Sequence, residues 1–329
     1  MPTDPRSRSH AHFKQYHSSP KSNDKKMNEV MRHGFIAAAV ALALMFVPFD
    51  GRAQVAQAPN VLIVTAHPDD EALFAGSVYR LTQELGGVAD LALVTDGAGG
   101  YRFSTLAEGI YGRELTDPAV AREYMPAIRK KELLAAGSIM GLRKYFFLDQ
   151  PDTGRTTDPD SVLSTVWDSV FVTSQLESIL RTNRYDFVLV FLPFAENHGH
   201  HKASALLGLQ SVQKIEPARQ PVVLGAWISS EDDTTAQEYH GLEGYPLSRT
   251  TSVEPLFRFD RTHSVPENER LNYKIPVNWV IAEHKTQGTM QLLMNQGDYE
   301  EYWLFEANPA DARERAAGYF ELLNSFSDE

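Results

Sequence analysis

Runs of apolar residues alternate with amphipathic stretches along most of this chain. Consecutive apolar residues, typical of strands buried on both faces of a parallel sheet, cover residues 61–64, 91–94, 145–148, 187–192 and 222–228. Between them, apolar positions recur at helical spacing over residues 73–85, 128–142, 161–180 and 202–215. Because crossovers between parallel strands are right-handed, the alternation predicts a doubly wound, Rossmann-like α/β fold, with a mostly parallel sheet in a three-layer arrangement.

Two segments interrupt this pattern. Residues 95–100 contain three glycines after the second predicted strand, which indicates a loop that passes close to another group. Residues 101–124 are polar and aromatic and are expected to form a surface excursion that acts as a lid. No repeat or linker follows, so residues 54–329 are predicted to form a single domain with a less regular carboxy-terminal third.

The amino terminus has the layout of a secretory signal. Two basic positions, 32 and 33, precede an apolar run over residues 35–47, and small residues at 51 and 53 fit cleavage after Ala53. A retained anchor is the alternative, but a spanning helix needs about 20 apolar residues and this run is shorter. We therefore expect an exported protein, periplasmic or secreted, without stable membrane insertion after processing.

Net charge and composition limit the kinds of molecule that this chain is expected to bind. The 329 residues carry a net charge of −12; residues 1–53, whose true start is expected at Met27 or Met31, hold 8 Lys or Arg and 4 Asp or Glu, which leaves −16 on the remainder. Such a surface disfavours nucleic acid and anionic lipid and suits a neutral or cationic small substrate. The absence of cysteine excludes disulfides and a thiolate nucleophile.

Two histidine-rich segments are expected at the carboxyl ends of strands, where open α/β sheets bind ligands. Residues 67–71 (HPDDE) follow the first strand, and residues 196–201 (ENHGHH) follow the apolar strand that ends near Phe194. Two histidines and one carboxylate would leave one position of a zinc ion open, as in catalytic sites. The alternatives are a helix start capped by its acids, which does not explain His67, and a polar loop with exposed histidines.

The sequence of residues 66–71, Ala-His-Pro-Asp-Asp-Glu, resembles the signature of the LmbE-like (PIG-L) N-deacetylases, and it follows the same kind of apolar strand. The resemblance extends over nearly all of residues 60 to 290. The further stretches that agree with the family pattern are residues 95–97, Ile128-Arg129 with Glu132, 147–149, 198–203 and 284–287.

The resemblance implies a set of roles. His67, Asp70 and His201 would bind the metal, zinc or alternatively Fe²⁺, because such a ligand set suits both. Asp69 would be the general base that takes a proton from the attacking water. His198, when protonated, would donate to the developing oxyanion.

Two assignments in this set stay open. The family's second motif is usually His-Pro-Asp-His, but this chain has Gly199-His200 between His198 and His201, so His200 is a rival ligand. Arg129 resembles the family arginine that contacts substrate, and the alternative is a surface ion pair with Glu132.

The implied reaction is hydrolysis of an N-acetyl group from an N-acetylglucosamine-type sugar or glycoconjugate, which releases acetate and a free amine. Two other functions compete with it. One is metal-dependent hydrolysis of another bond by an amidase or esterase, and the other is glycan binding without turnover, against which the intact Asp69 argues.

Overall fold

A seven-stranded sheet forms the centre of the computed structural model, which describes residues 58–234, 237–266 and 268–326. The strands are β1 (Asn60–Thr65), β2 (Val88–Thr95), β3 (Leu142–Gln150), β4 (Phe187–Phe191), β5 (Val222–Ser229), β6 (Phe257–Asp260), β7 (Ser264–Val265), β8 (Asn268–Asn272) and β9 (Tyr299–Leu304). The strand order in the large sheet is β3-β2-β1-β4-β5-β9-β6, with β1 to β5 parallel and β9 antiparallel to both of its neighbours. The two short strands β7 and β8 pair separately.

Helices cover both faces of the sheet. Alternate residues of β1 show the layering, because Val61 and Ile63 enter one apolar core while Leu62 and Val64 enter the other. The predicted α/β three-layer fold is thus confirmed. The helices are α1 (Ala75–Tyr79), α2 (Glu108–Tyr111), α3 (Pro118–Ile139), α4 (Pro159–Ser161), α5 (Ser169–Thr182), α6 (Gly199–Val212), α7 (Lys274–Glu283) and α8 (Ala312–Leu323).

The boundaries of two helices differ from the sequence prediction. The predicted excursion over residues 101–124 is wrong at its end, because α3 already begins at Pro118. Asp117 caps this helix by accepting hydrogen bonds from the amides of Ala119 and Val120. The helix predicted from residue 202 begins at Gly199, so His200 and His201 lie in its first turn and His198 is its N-cap.

The predictions for the amino terminus fall outside the described residues. These are the leader over residues 1–53, its start at Met27 or Met31, cleavage after Ala53, and the domain boundary at 54. Among the described residues, no helix is long and apolar enough to cross a membrane.

Candidate active site

The two histidine segments meet at the edge of the sheet where the strand order reverses. The chain leaves β1 toward β2 on one side, and β4 lies on the other side of β1. The segment after β1 turns at His67 into a short 3₁₀ helix, Asp70–Phe74, and the segment after β4 leads into α6, whose first turn carries His201. Carboxyl ends of strands diverge at such a reversal and leave a crevice, which is where the sheet places the candidate site.

Three donor atoms converge in this crevice. Nδ1 of His67 lies 3.0 Å from Nε2 of His201, and the latter lies 3.0 Å from Oδ1 of Asp70. The donor atoms of all three residues lie within 4.8 Å of one another, which is close enough for one ion to contact them together. The structure thus brings together the three residues that the sequence predicted as metal ligands.

The backbone orients the carboxylate of Asp70. Its Oδ2 accepts hydrogen bonds from the amides of Ala66 (3.0 Å) and His67 (2.7 Å), which leaves Oδ1 facing His201. Although burial opposes ionisation, the neighbouring His201 and His67 hold the pKa of Asp70 well below its usual range. Asp70 is therefore ionised, as a metal ligand must be.

Each histidine donor is fixed through its second ring nitrogen. Nδ1 of His201 lies 3.0 Å from the side-chain oxygen of Asn197, and Nε2 of His67 lies 3.1 Å from Nδ1 of His200. A proton on each of these nitrogens leaves the opposite nitrogen with a free lone pair toward the crevice. Phe191 stacks on the His201 ring at 4.5 Å and restricts its rotation further.

His200 also belongs to a second cluster, with His67 and His198. This cluster contains no carboxylate, and Nδ1 of His198 already accepts the His200 amide at 3.0 Å. His67 faces the two clusters with opposite ring nitrogens. Its Nδ1 lies next to His201 and is placed to bind a metal, whereas its Nε2 forms a hydrogen bond with His200. The geometry favours the cluster with Asp70, in which His200 supports His67 from behind. Two imidazoles and an ionised carboxylate, each oriented by a further contact, fit Zn²⁺ or Fe²⁺.

The charges around the histidines differ sharply. Burial lowers the pKa of His67, but the carboxylates of Asp70 and Asp152 outweigh it and raise the pKa to about 9. Burial, with the positive charge of His67, lowers the pKa of His198 to about 4 and that of His200 to about 3. The crevice therefore attracts a cation to the predicted ligand set, where a metal ion would take the place of the second proton of His67, and it keeps His198 and His200 neutral. The resemblance implied a protonated His198. The structure instead favours a neutral His198 ring, in which Nε2–H is the hydrogen-bond donor.

Asp69 has an unusual backbone conformation. Its φ is 148° and its ψ −19°, a region that costs a non-glycine residue about 1–3 kcal/mol. Its carboxylate makes no capping hydrogen bond to the following helix, so the capping interpretation of this residue is wrong. Instead Oδ1 lies 3.1 Å from Nη2 of Arg129, and the pKa of Asp69 is raised because burial outweighs that positive charge. A carboxylate with a raised pKa is a better proton acceptor.

Arg129 is buried rather than exposed. It is 1% exposed and donates to the carbonyl oxygens of Gly97 and Pro68 at 2.8 and 2.6 Å. The alternative of a surface ion pair with Glu132 is therefore wrong. The guanidinium also lines the cavity beside Asp69, where it orients this carboxylate.

The glycine-containing loop after β2 passes close to these groups, as predicted. A Cβ on Gly100 would lie 2.6 Å from Nη1 of Arg129, and one on Gly99 would overlap the carboxylate of Asp152. Asp152 was missed by sequence reasoning. It is 2% exposed, with Oδ1 3.5 Å from Nδ1 of His200, and its position just after β3 was the available signal.

A cavity of about 600 Å³ opens onto this cluster. His67, Asp69, Asp70, His198 and His201 line one side of it. The remaining wall is largely apolar, with the aromatic and aliphatic side chains Phe103, Phe191, Trp227, Ile228, Ile281, Met290 and Leu293. The volume is within the range of small-molecule sites.

Known proteins resemble the chain over this region. Residues 62–212 match the family model described as GlcNAc-PI de-N-acetylase, PIG-L. A probable N-acetyl-alpha-D-glucosaminyl L-malate deacetylase 2 from Bacillus cereus is 29% identical over 180 residues, which are 54% of this chain and 72% of that protein.

Solved structures also superpose on it, but partially. The N,N'-diacetylchitobiose deacetylase from Pyrococcus horikoshii gives a TM-score of 0.48 at 16% identity, covering 88% of this chain and 95% of that one. GalB, the 4-carboxy-2-hydroxymuconate hydratase from Pseudomonas putida KT2440, gives 0.49 at 14% identity, covering 74% of this chain and 95% of that one. These TM-scores are too low to distinguish the two chemistries.

Proposed function

We propose, from the match of residues 62–212 to the PIG-L family model, that the protein is a metal-dependent N-deacetylase. It hydrolyses the N-acetyl group of an N-acetylglucosamine-type sugar or glycoconjugate and releases acetate and a free amine. The observation that carries the proposal is the convergence of His67, Asp70 and His201 on one side of a cavity next to the uncapped carboxylate of Asp69.

The reaction needs help for both partners, because an amide carbonyl is a poor electrophile and water a poor nucleophile. Zinc or Fe²⁺, when held by His67, Asp70 and His201, supplies Lewis acidity to the carbonyl oxygen and lowers the pKa of water. Asp69 takes the proton of the attacking water and passes it to the departing amine nitrogen. Arg129 keeps the Asp69 carboxylate in place during both transfers.

His198 donates to the oxygen on which negative charge develops. Because Nδ1 of the ring accepts the His200 amide, the proton of the neutral ring is on Nε2. His198 lines the cavity, so this N–H is available to the substrate oxygen. A single donor of this kind contributes a factor of about 100 to 1000 in rate.

The cavity is suited to more than an acetamide group. Phe191 and Trp227 lie 6.4 Å apart, edge to face, and both line the cavity next to His201. Aromatic faces pack against the apolar face of a sugar ring. At about 30 Å³ per water, the cavity holds about 20 water molecules, which is room for a sugar and part of what it is linked to. Export through the amino-terminal signal is part of the same proposal.

Acetate release combined with metal analysis tests the function. Metal-free protein is reconstituted with Zn²⁺ or Fe²⁺ and incubated with a panel of N-acetylated sugars and glycosides, and acetate and free amine are measured. We expect both products in equal amounts, one metal per chain, and loss of turnover after chelation. A fully loaded protein that releases no acetate from any member of the panel would contradict the proposal, as would turnover that survives complete metal removal.

A further inference from the structure

Two groups hold Asp69 in its unusual conformation. Oε2 of Glu71 accepts a hydrogen bond from the Asp69 amide at 3.0 Å, and Nη2 of Arg129 lies 3.1 Å from the Asp69 carboxylate. The first contact fixes the backbone and the second fixes the side chain. Glu71 and the helix that carries Arg129 are each held in turn by one further segment of the chain.

That further segment is residues 284–287, which directly follow α7. Nε2 of His284 lies 2.5 Å from Oε1 of Glu71, and neither residue is exposed to solvent. Two positions further, Thr286 donates to both carboxylate oxygens of Glu132, from its amide at 2.9 Å and from its hydroxyl at 2.5 Å. Glu132 lies on α3 within one turn of Arg129, so the same four residues reach both holders of Asp69.

We propose that residues 284–287 act as a clamp that positions Asp69 for proton transfer, with His284 fixing its backbone through Glu71 and Thr286 fixing the helix of Arg129 through Glu132. The proposal rests on the function proposed above. The clamp lies outside residues 62–212, so the carboxy-terminal third completes the site. His284 and Thr286 are positioning residues, since neither lines the cavity.

Buried charge supports a positioning role over a purely stabilising one. Glu71 is fully buried and Glu132 is 3% exposed. Apolar side chains of similar volume usually stabilise an interior as well as a buried charged pair does, because desolvation cancels most of the attraction between the charges. Apolar contacts, however, do not fix the orientation of a side chain as hydrogen bonds do. The bond from His284 orients Glu71 so that its other oxygen faces the Asp69 amide.

Loss of the clamp should therefore misplace the base without removing it. Without His284, Glu71 is free to turn, and the Asp69 backbone can relax toward an unstrained conformation that carries its carboxylate elsewhere. A displacement of about 1 Å in an active site can cost about 100-fold in rate.

The test compares two substitutions of His284 in the full chain. His284→Leu removes the donor, whereas His284→Gln keeps an N–H within reach of Glu71. Gln is sufficient because the other ring nitrogen, Nδ1, has no hydrogen-bond partner among the described residues. Tyr185→Phe is the matched control, since it removes a buried hydrogen bond to Asp90 at the amino-terminal ends of the strands, away from the site.

Four quantities are measured for each variant: kcat, KM, metal per chain and melting temperature. We expect His284→Leu to lower kcat about 10- to 100-fold with KM and metal content unchanged, and His284→Gln to restore most of the rate. Tyr185→Phe should lower the melting temperature alone. Thr286→Val, nearly isosteric, should lower kcat in the same direction, and it serves if His284→Leu does not fold.

A double-mutant cycle that combines His284→Leu with Asp69→Asn distinguishes a positioning role of His284 from a general effect on stability. If His284 acts through Asp69, adding His284→Leu to Asp69→Asn causes no further loss of the residual rate. Independent, multiplying losses would overturn the clamp, and so would a folded His284→Leu or Thr286→Val variant with normal kcat. A wild-type protein that is inactive on every substrate would instead remove the proposed function, and the clamp with it.

Discussion

Replacement of Asp69 by Asn is the most direct test of the site. Asn has nearly the same shape but cannot accept a proton from water. If Asp69 is the general base, acetate release should fall at least about 100-fold, the lower range for loss of this function. Metal should remain bound, because Asp69 is not one of the three converging donors.

The effect on stability follows from the contacts of Asp69. At 3.1 Å from Arg129 and an effective dielectric constant of about 20, the gross attraction is about 5 kcal/mol. Burial and the like charge of Asp70 more than offset it, since the pKa of Asp69 is raised rather than lowered. The fold thus disfavours the charged form, so a neutral amide should not destabilise the metal-free protein. The melting temperature should fall by no more than the 2–4 °C that a loss of about 1 kcal/mol would cause.

Acetate release, metal per chain and melting temperature are measured on the same preparation. Asp149→Asn is the matched control, because Asp149 also has a positive φ of 49° and pairs with Lys130, but lies outside the cavity. It should keep full activity. A stable, metal-loaded Asp69→Asn protein with wild-type turnover would refute the general-base role, and loss of metal would show that Asp69 is itself a ligand.

Three further predictions concern the histidines and their partners. His201→Ala should lose most bound metal and nearly all activity, whereas His200→Ala should keep most metal with affinity lowered about 10- to 100-fold, because it supports His67 from behind; metal titration of both decides between them. Asn197→Ala should weaken metal binding to a similar extent by freeing the His201 ring, and unchanged affinity would remove Asn197 from the site. His198→Ala should keep the metal and lower kcat about 100- to 1000-fold, and a raised KM with normal kcat would make it a substrate contact instead.

The local sequence pattern was sufficient to predict the strands and to identify the motif at residues 66–71. Strand β1 is apolar on both faces because both face a helix layer, and that produces a continuous run such as residues 61–64. Ligands of open α/β sheets bind beyond the carboxyl ends of the strands, so the segments after β1 and β4 could be predicted at the same edge of the sheet. The resemblance to the LmbE-like signature then implied His67, Asp70 and His201 as one ligand set, although 134 positions separate the two histidines.

The start of α3 shows where a local signal was present but outweighed. Asp117 followed by Pro118 is a favourable helix start, because the aspartate caps free amides and proline fits the first turn. The polar and aromatic composition of residues 101–124 favoured an excursion instead. In the structure Pro126 lies inside the helix, and Met125 packs beside Leu115 and Ala121 in a small apolar cluster of its own. The helix start at Asp117-Pro118 and this packing together outweighed the polar composition of the segment.

The sequence by itself determined the fold class and the residue types at the carboxyl ends of the strands, since these follow from hydrophobic periodicity and from the motifs that come after each apolar run. The strand order, which places the crevice beside β1, came from the tertiary structure. Only the tertiary structure distinguished His201 from His200, because adjacent residues on a helix point about 100° apart and the orientation of α6 sets which one faces Asp70. It alone showed that Arg129 pairs with Asp69 and that His284 holds Glu71 across 213 positions. Contacts of this kind depend on how separate helices and loops dock on the sheet, and no short-range pattern in a single chain records that.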